Sequence, residues 1–130
     1  MTLNELVRES HKTAKDKGFW DKERNVGELM MLITTELGEG FEAYRCGQVL
    51  EERGLVPSDL QPDRSVVPED EAAFKAWFES HIKGTFEEEI ADTMIRLADL
   101  CGGLDIPIEE VILLKMRYNK TRERLHGKKF

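Results

Sequence analysis

Cysteine is scarce in this sequence: Cys46 and Cys101 are the only two among 130 residues. Two thiols build no disulfide framework, and neither a CxxC pair nor a Cys/His spacing offers a zinc site. Both are expected to be reduced and buried, as in a cytoplasmic protein. Long apolar runs are missing as well, so no segment is expected to cross a bilayer. The opening Met1-Thr-Leu-Asn-Glu5 lacks the basic start and apolar centre of a signal peptide, which points away from export. Positive charge is in deficit. The formal net charge of −7 argues against binding to a nucleic-acid polymer, which requires a basic footprint. No strand-like alternation, internal repeat or low-complexity stretch appears.

What the chain does have is helix punctuation. Thr2 with Glu5 forms a capping box that opens a helix to about Lys17, where Gly18 stops it. Asn25 with Glu28 opens a long helix predicted to run to about Glu52, with Gly54 as its stop. Residues 54–68, with Pro57, Pro62, Pro68, Ser58, Asp59 and Asp63, read as a loop. A short helix over about Glu69 to Lys83 carries Phe74, Trp77 and Phe78. Thr85 with Glu88 opens a further helix to Cys101, ended by Gly102-Gly103. Pro107 then suits the first turn of a last helix reaching about Leu125. The expected fold is a single all-α domain spanning 1–130, an antiparallel helical bundle. Three longer helices carry it, with 54–83 inserted as loop plus short helix. Helices of this size bury little alone, so an oligomer is expected.

Charge breaks the helical pattern at informative places. With Glu36 set at zero and about 100° per residue, Leu29 falls near +20°, Ile33 near +60°, Leu32 near −40° and Glu39 near −60°. Glu36 and Glu39 therefore sit within the apolar stripe. On the later helix, with Glu89 at zero, Asp92 lies at about −60°, Arg96 at about −20° and Asp99 at about −80°, beside an arc of Phe86, Ile90, Leu97 and Leu100. Buried carboxylates without partners cost several kcal/mol, roughly, so something must compensate. Four converging acids, Glu36, Glu39, Glu89 and Asp92, suit a hard divalent cation such as Mg²⁺ or Mn²⁺. The alternative is pairing with Lys and Arg of neighbouring helices.

The last helix runs its apolar stripe into Lys115, Asn119 and Arg122, a point charge, an amide and a guanidinium on one face. That set suits phosphate; a solvated basic helix end is the competing reading. No GxxxxGK[ST], HExxH or GxSxG motif occurs. The chemistry left is metal-assisted attack of water on phosphorus, with a spare carboxylate as general base. Trp20, Phe19, Trp77 and Tyr118 are aromatic planes on which a base could stack. Trp20 stands out because it lies in a Gly-Phe-Trp-Asp loop. His11, on the first helix, is a further candidate for contacting the nucleotide, with a surface role as its alternative.

Glu36-Leu-Gly-Glu39 and Glu89-Ile-Ala-Asp92 resemble the ExxE…ExxD signature of the MazG-like family, the all-α nucleoside triphosphate pyrophosphohydrolases. The segments His11–Trp20, Glu89–Leu100 and Lys115–Arg122, the last closing with His126–Phe130, resemble that family too. The resemblance covers the chain except about 54–83. It implies hydrolysis of a (d)NTP, with a lean toward a dNTP, to the monophosphate and pyrophosphate with Mg²⁺ or Mn²⁺. It implies Glu36, Glu39, Glu89 and Asp92 as metal ligands and catalytic residues. Lys115, Asn119 and Arg122 would hold phosphates, and Trp20, His11 and Tyr118 are candidates for the base. A homodimer or a dimer of dimers, whose sites are completed by helices of two chains, and a cytoplasm, bacterial or phage-infected, are implied likewise. The 54–83 insert is longer than the spacer of the shortest members. The competing function is a non-catalytic helical nucleotide-binding or oligomeric interaction module.

Overall fold

A computed structural model describes residues 1–60 and 66–130. The described residues are helical and contain no strand. The helices are α1 (Leu3–Asp16), α2 (Val26–Arg45), α3 (Glu71–His81), α4 (Phe86–Gly103) and α5 (Ile108–Lys120), with short 3-10 turns at Glu51–Arg53, Pro57–Leu60 and Arg124–Gly127. None is long and apolar enough to cross a membrane. Pro62 and Asp63 of the expected loop lie outside the described residues. The chain divides into two compact units, Arg24–Arg96 and Met1–Glu23 with Leu97–Phe130.

In the Arg24–Arg96 unit, the Asn25 side chain caps α2 by accepting the Glu28 N–H at 3.1 Å. The helix ends at Arg45 and not near Glu52. Gly47 adopts φ +70°, and the Gln48 N–H reaches back to the Ala43 carbonyl at 2.8 Å, closing the helix in a Schellman turn. Gly54, expected to stop α2, instead closes the following 3-10 turn at φ +80°. The freed segment joins the start of α4. Gln48 O accepts the Phe86 N–H at 2.8 Å, and Arg53 donates to the Lys83 carbonyl at 2.6 Å and to Gln48 Oε1 at 3.1 Å. The helix α3 lies within two residues of its predicted limits, capped by Asp70. At α4, fully buried Thr85 accepts the Glu88 N–H at 3.2 Å. The Glu88 carboxylate takes the Gly84 N–H, so the reciprocal bond of the box falls one residue early.

The helices α2 and α4 run antiparallel, because Glu36 pairs with Arg96 while Gly40, one turn later, faces Glu89 and Phe86. A Cβ on Gly40 would stand 3.2 Å from the Glu89 Cβ, so glycine there sets how closely the helices approach. Among the described residues of this unit, Leu29, Ile33 and Leu55 are the buried apolar ones. A second apolar stripe on α2 stays exposed: Met30 48%, Leu37 50%, Phe41 63% and Tyr44 63%.

In the other unit, both bonds of the Thr2/Glu5 capping box form. Gly18 ends α1 at φ +86°, with the Phe19 N–H returning to the Ala14 carbonyl at 3.0 Å. The α1 and α5 helices touch, and the Asn4 amide donates to the Glu109 carboxylate.

The α4 helix ends at Gly102-Gly103, as expected; two other expectations fail in this part of the chain or beside it. The left-handed position after the helix is taken by Asp105 at φ +52°, and the Ile106 N–H bonds the Cys101 carbonyl at 2.9 Å. The glycines serve close packing. A Cβ on Gly102 would come within 2.6 Å of the His11 Cβ, and one on Gly103 within 2.2 Å of the Trp20 ring. Next, α5 stops at Lys120, capped by Thr121, before Arg122 and Leu125; Leu125 and His126 adopt φ +55° and +52°, which a continued helix cannot accommodate. Finally, Cys101 is buried but Cys46 is exposed, its thiol donating to Glu42 at 3.4 Å.

Candidate metal centre

Burying α2 against α4 forces acids inward, since Glu36 shares the arc of Leu29 and Ile33. Glu36 is 7% exposed. With Glu89 and Asp92 it forms a group in which one carboxylate oxygen from each lies within 4.8 Å of the others. Glu39, expected as the fourth ligand, is exposed and stands outside that group. Its charge still acts on Glu89.

The electrostatics follow from crowding. Burial, then the charges of Glu39 and Glu88, then a hydrogen bond and charge from Glu36, push the Glu89 carboxyl up to about 7. Burial first, with Glu88 and Glu36, also raises Asp92, and Arg96 opposes this. Glu89 Oε2 is buried with no hydrogen-bond partner among the described residues. Glu36 is compensated differently: Arg96 Nε stands 2.6 Å from its Oε1. The pairing expected as the alternative to metal is thus realised for Glu36, while Glu89 and Asp92 carry raised pKa values, the mark of carboxylates short of counter-charge. An orphaned buried oxygen in an all-oxygen donor set fits a small divalent cation.

The α5 candidates are arranged around a ring. The Lys115 ammonium lies 5.0 Å from the Tyr118 ring centroid and the Arg122 guanidinium 5.8 Å from it. Although Arg122 lies beyond the helix, its N–H bonds the Asn119 carbonyl at 3.2 Å, which keeps it beside α5. Asn119 Oδ1 is buried and has no partner among the described residues. Tyr118 thus serves as a support for two cations.

Of the remaining aromatic candidates, Trp77 stacks on His81 at 5.4 Å along α3, and Phe19 is exposed. His11 and Trp20 meet edge to face at 5.1 Å. Both donate to one atom: Asp99 Oδ1 takes the Trp20 indole N–H at 2.8 Å and contacts His11 Nδ1 at 2.9 Å. Neither is a plain surface residue; His11 is half-buried.

Sequence reasoning missed the partnerships of Arg96 and Asp99 and the influence of Glu88. The signal for Arg96 was its angular position beside Glu89. For Asp99 there was none, because its donors arrive from residues far away in sequence.

No family model matches the chain, and neither the curated proteins nor the solved structures contain a match to it.

Proposed function

We propose that this chain is a MazG-like nucleoside triphosphate pyrophosphohydrolase, hydrolysing a dNTP to the monophosphate and pyrophosphate. The observation that carries the reading is the convergence of Glu36, Glu89 and Asp92 with one Glu89 oxygen left unpartnered. These three residues would hold Mg²⁺ or Mn²⁺. When bound, the cation supplies charge neutralisation for phosphoryl oxygens and a water of lowered pKa. The chain's own groups do the rest. Glu39, exposed but close enough to act on Glu89, accepts the proton of the attacking water. Water oxygen bonds to the α-phosphorus, the bond from that phosphorus to the bridging oxygen breaks, and pyrophosphate leaves. In the other unit, Lys115, Asn119 and Arg122 keep their reading as a phosphate-binding set of their own, with the two cations against the Tyr118 ring.

We also place a second copy of the chain on the exposed stripe of α2. A helix apolar on several faces is characteristic of a buried position, and Met30, Leu37, Phe41 and Tyr44 are large and uncovered. Light scattering that returns the mass of a monomer rejects the dimer.

The deciding experiment is a panel of NTPs and dNTPs with Mg²⁺ and Mn²⁺, scored for monophosphate and pyrophosphate. Pyrophosphate as first product supports the reading, and orthophosphate as first product rejects it. The Glu36–Arg96 pair favours a second reading, a non-catalytic helical module whose acids serve packing. Calorimetry separates the two. Mn²⁺ binding lost in Glu36→Gln supports the enzyme, whereas no binding, with Glu36→Leu more stable than the parent, supports the module.

A further inference from the structure

The site built by His11, Trp20 and Asp99 is separate in its chemistry from the acid group. Its three side chains and the two glycines beneath them all belong to the unit formed by Met1–Glu23 and Leu97–Phe130. Three observations bear on it. A single oxygen, Asp99 Oδ1, receives both ring N–H groups. The side chains are only partly covered, His11 at 20% exposure and Asp99 at 17%. The last two residues of α4 are glycines, and a Cβ at Gly102 or Gly103 would collide with His11 or Trp20 where they lie.

A carboxylate accepts only. Facing His11 Nδ1, it fixes that nitrogen as the N–H donor, so in the neutral ring Nε2 holds the lone pair. Asp99 meanwhile holds the Trp20 indole edge-on to the imidazole. The pair therefore presents an acceptor nitrogen of defined direction beside an aromatic surface.

We propose that Asp99 is a positioning residue: it fixes the His11 tautomer and the Trp20 ring so that Nε2 accepts a hydrogen bond from the N–H or NH₂ edge of a flat heteroaromatic ligand. This rests on the nucleotide reading given above, and the ligand group is the base. It assigns to Asp99 a role in which it need not touch the ligand.

The test uses the full chain and two independent readouts. In nucleotide-free protein, ¹⁵N–¹H correlation of the imidazole shows His11 protonated at Nδ1, and Asp99→Leu, which removes the shared acceptor, shifts the population toward the Nε2–H form. An unchanged far-ultraviolet circular dichroism spectrum shows that the fold survives, and Asp99→Ala replaces any Asp99→Leu protein that does not fold. Calorimetric titration with each of dATP, dCTP, dGTP and dTTP then shows the tightest of the four weakened at least tenfold by Asp99→Leu. In turnover this appears as a raised KM with kcat within twofold. His11→Gln carries an acceptor oxygen near the Nε2 position and needs no tautomer, and Trp20→Phe has no N–H to be held. On the background of both, Asp99→Leu changes binding less than threefold. An unchanged tautomer in Asp99→Leu, or effects of the substitutions that multiply in full, overturns the inference while leaving the hydrolase reading intact. Parent protein that binds none of the four dNTPs rejects the nucleotide reading, and the base-facing role falls with it.

Discussion

Glu89 and Asp99 stand on the same helix, each a carboxylate held partly out of water, and their surroundings differ in kind. Asp99 is met by two N–H donors. Glu89 is met by other acids, with its pKa pushed up to about 7 and one oxygen without a partner. A carboxylate supplied with donors is satisfied by its own chain and can orient something else. One supplied only with like charge waits for a proton or a cation. The difference separates a holding residue from a candidate ligand without reference to any relative.

The largest effect expected from breaking that contrast is on turnover. Asp92→Asn keeps the shape of the group and removes one charge from it. Pyrophosphate release should fall on the order of 10²-fold or more, the usual size when a charged stabilising group is lost. Thermal stability should not fall, because the substitution relieves repulsion. An Asp92→Asn protein with parental turnover would show that the acids are not the reacting centre.

Stability effects come next. Arg96→Met removes the counter-charge that Glu36 has among the described residues; Glu36 is 9% exposed in its side chain, while Arg96 is 42% exposed. A buried ion pair broken on one side costs about 3–5 kcal/mol, and the open side of this pair discounts that to about 1–3 kcal/mol. Urea unfolding measures it, and a cost near zero would mean that water already solvates Glu36. In the other unit, Gly103→Ala, at the last residue of α4, gains less than the about 1 kcal/mol of helix propensity that an interior position would give. Overpacking against Trp20 costs roughly 1–3 kcal/mol, and with the ring only 2.2 Å from the new Cβ net destabilisation is expected. A more stable Gly103→Ala would mean that Trp20 leaves α4 readily, which would sharpen the contrast by removing the holding role from Asp99.

Local rules were legible in the chain wherever a single turn decides the outcome. Thr2 with Glu5, and Gly18, act where the sequence places them, and the periodicity that put Glu36 on the arc of Ile33 anticipated a buried acid. What stayed hidden depends on partners distant in sequence. Gly47 overrides Gly54 because the stretch after it bonds the start of α4, through Gln48 and Arg53. Gly102 and Gly103 read as a stop signal, and α4 does end there, but the room they leave for His11 and Trp20 was not legible. Glu39 shares the helical arc of Glu36, but a difference of about 60° on a helix is enough to turn it to water.

The smallest expected effect tests the acid group by its protons. Glu89 has a folded pKa near 7 against an ordinary value of 4.5, so between these limits the folded state binds more protons than the unfolded chain. Stability in the absence of metal must then decrease as pH rises from about 4.5 to above 7, and be regained on acidification through that window. Because much of the group remains near solvent, the change is a shallow slope in melting temperature. The raised Asp92 adds to it in the same direction. Glu89→Gln removes most of the slope. Saturating Mn²⁺ should reverse its sign, since a ligand carboxylate must be deprotonated and binding tightens as pH rises. Melting curves at several pH values, with chelator and with Mn²⁺, measure both signs. A slope that ignores Mn²⁺ would leave Glu89 as a protonated packing residue, and its contrast with Asp99 would then be one of charge state alone.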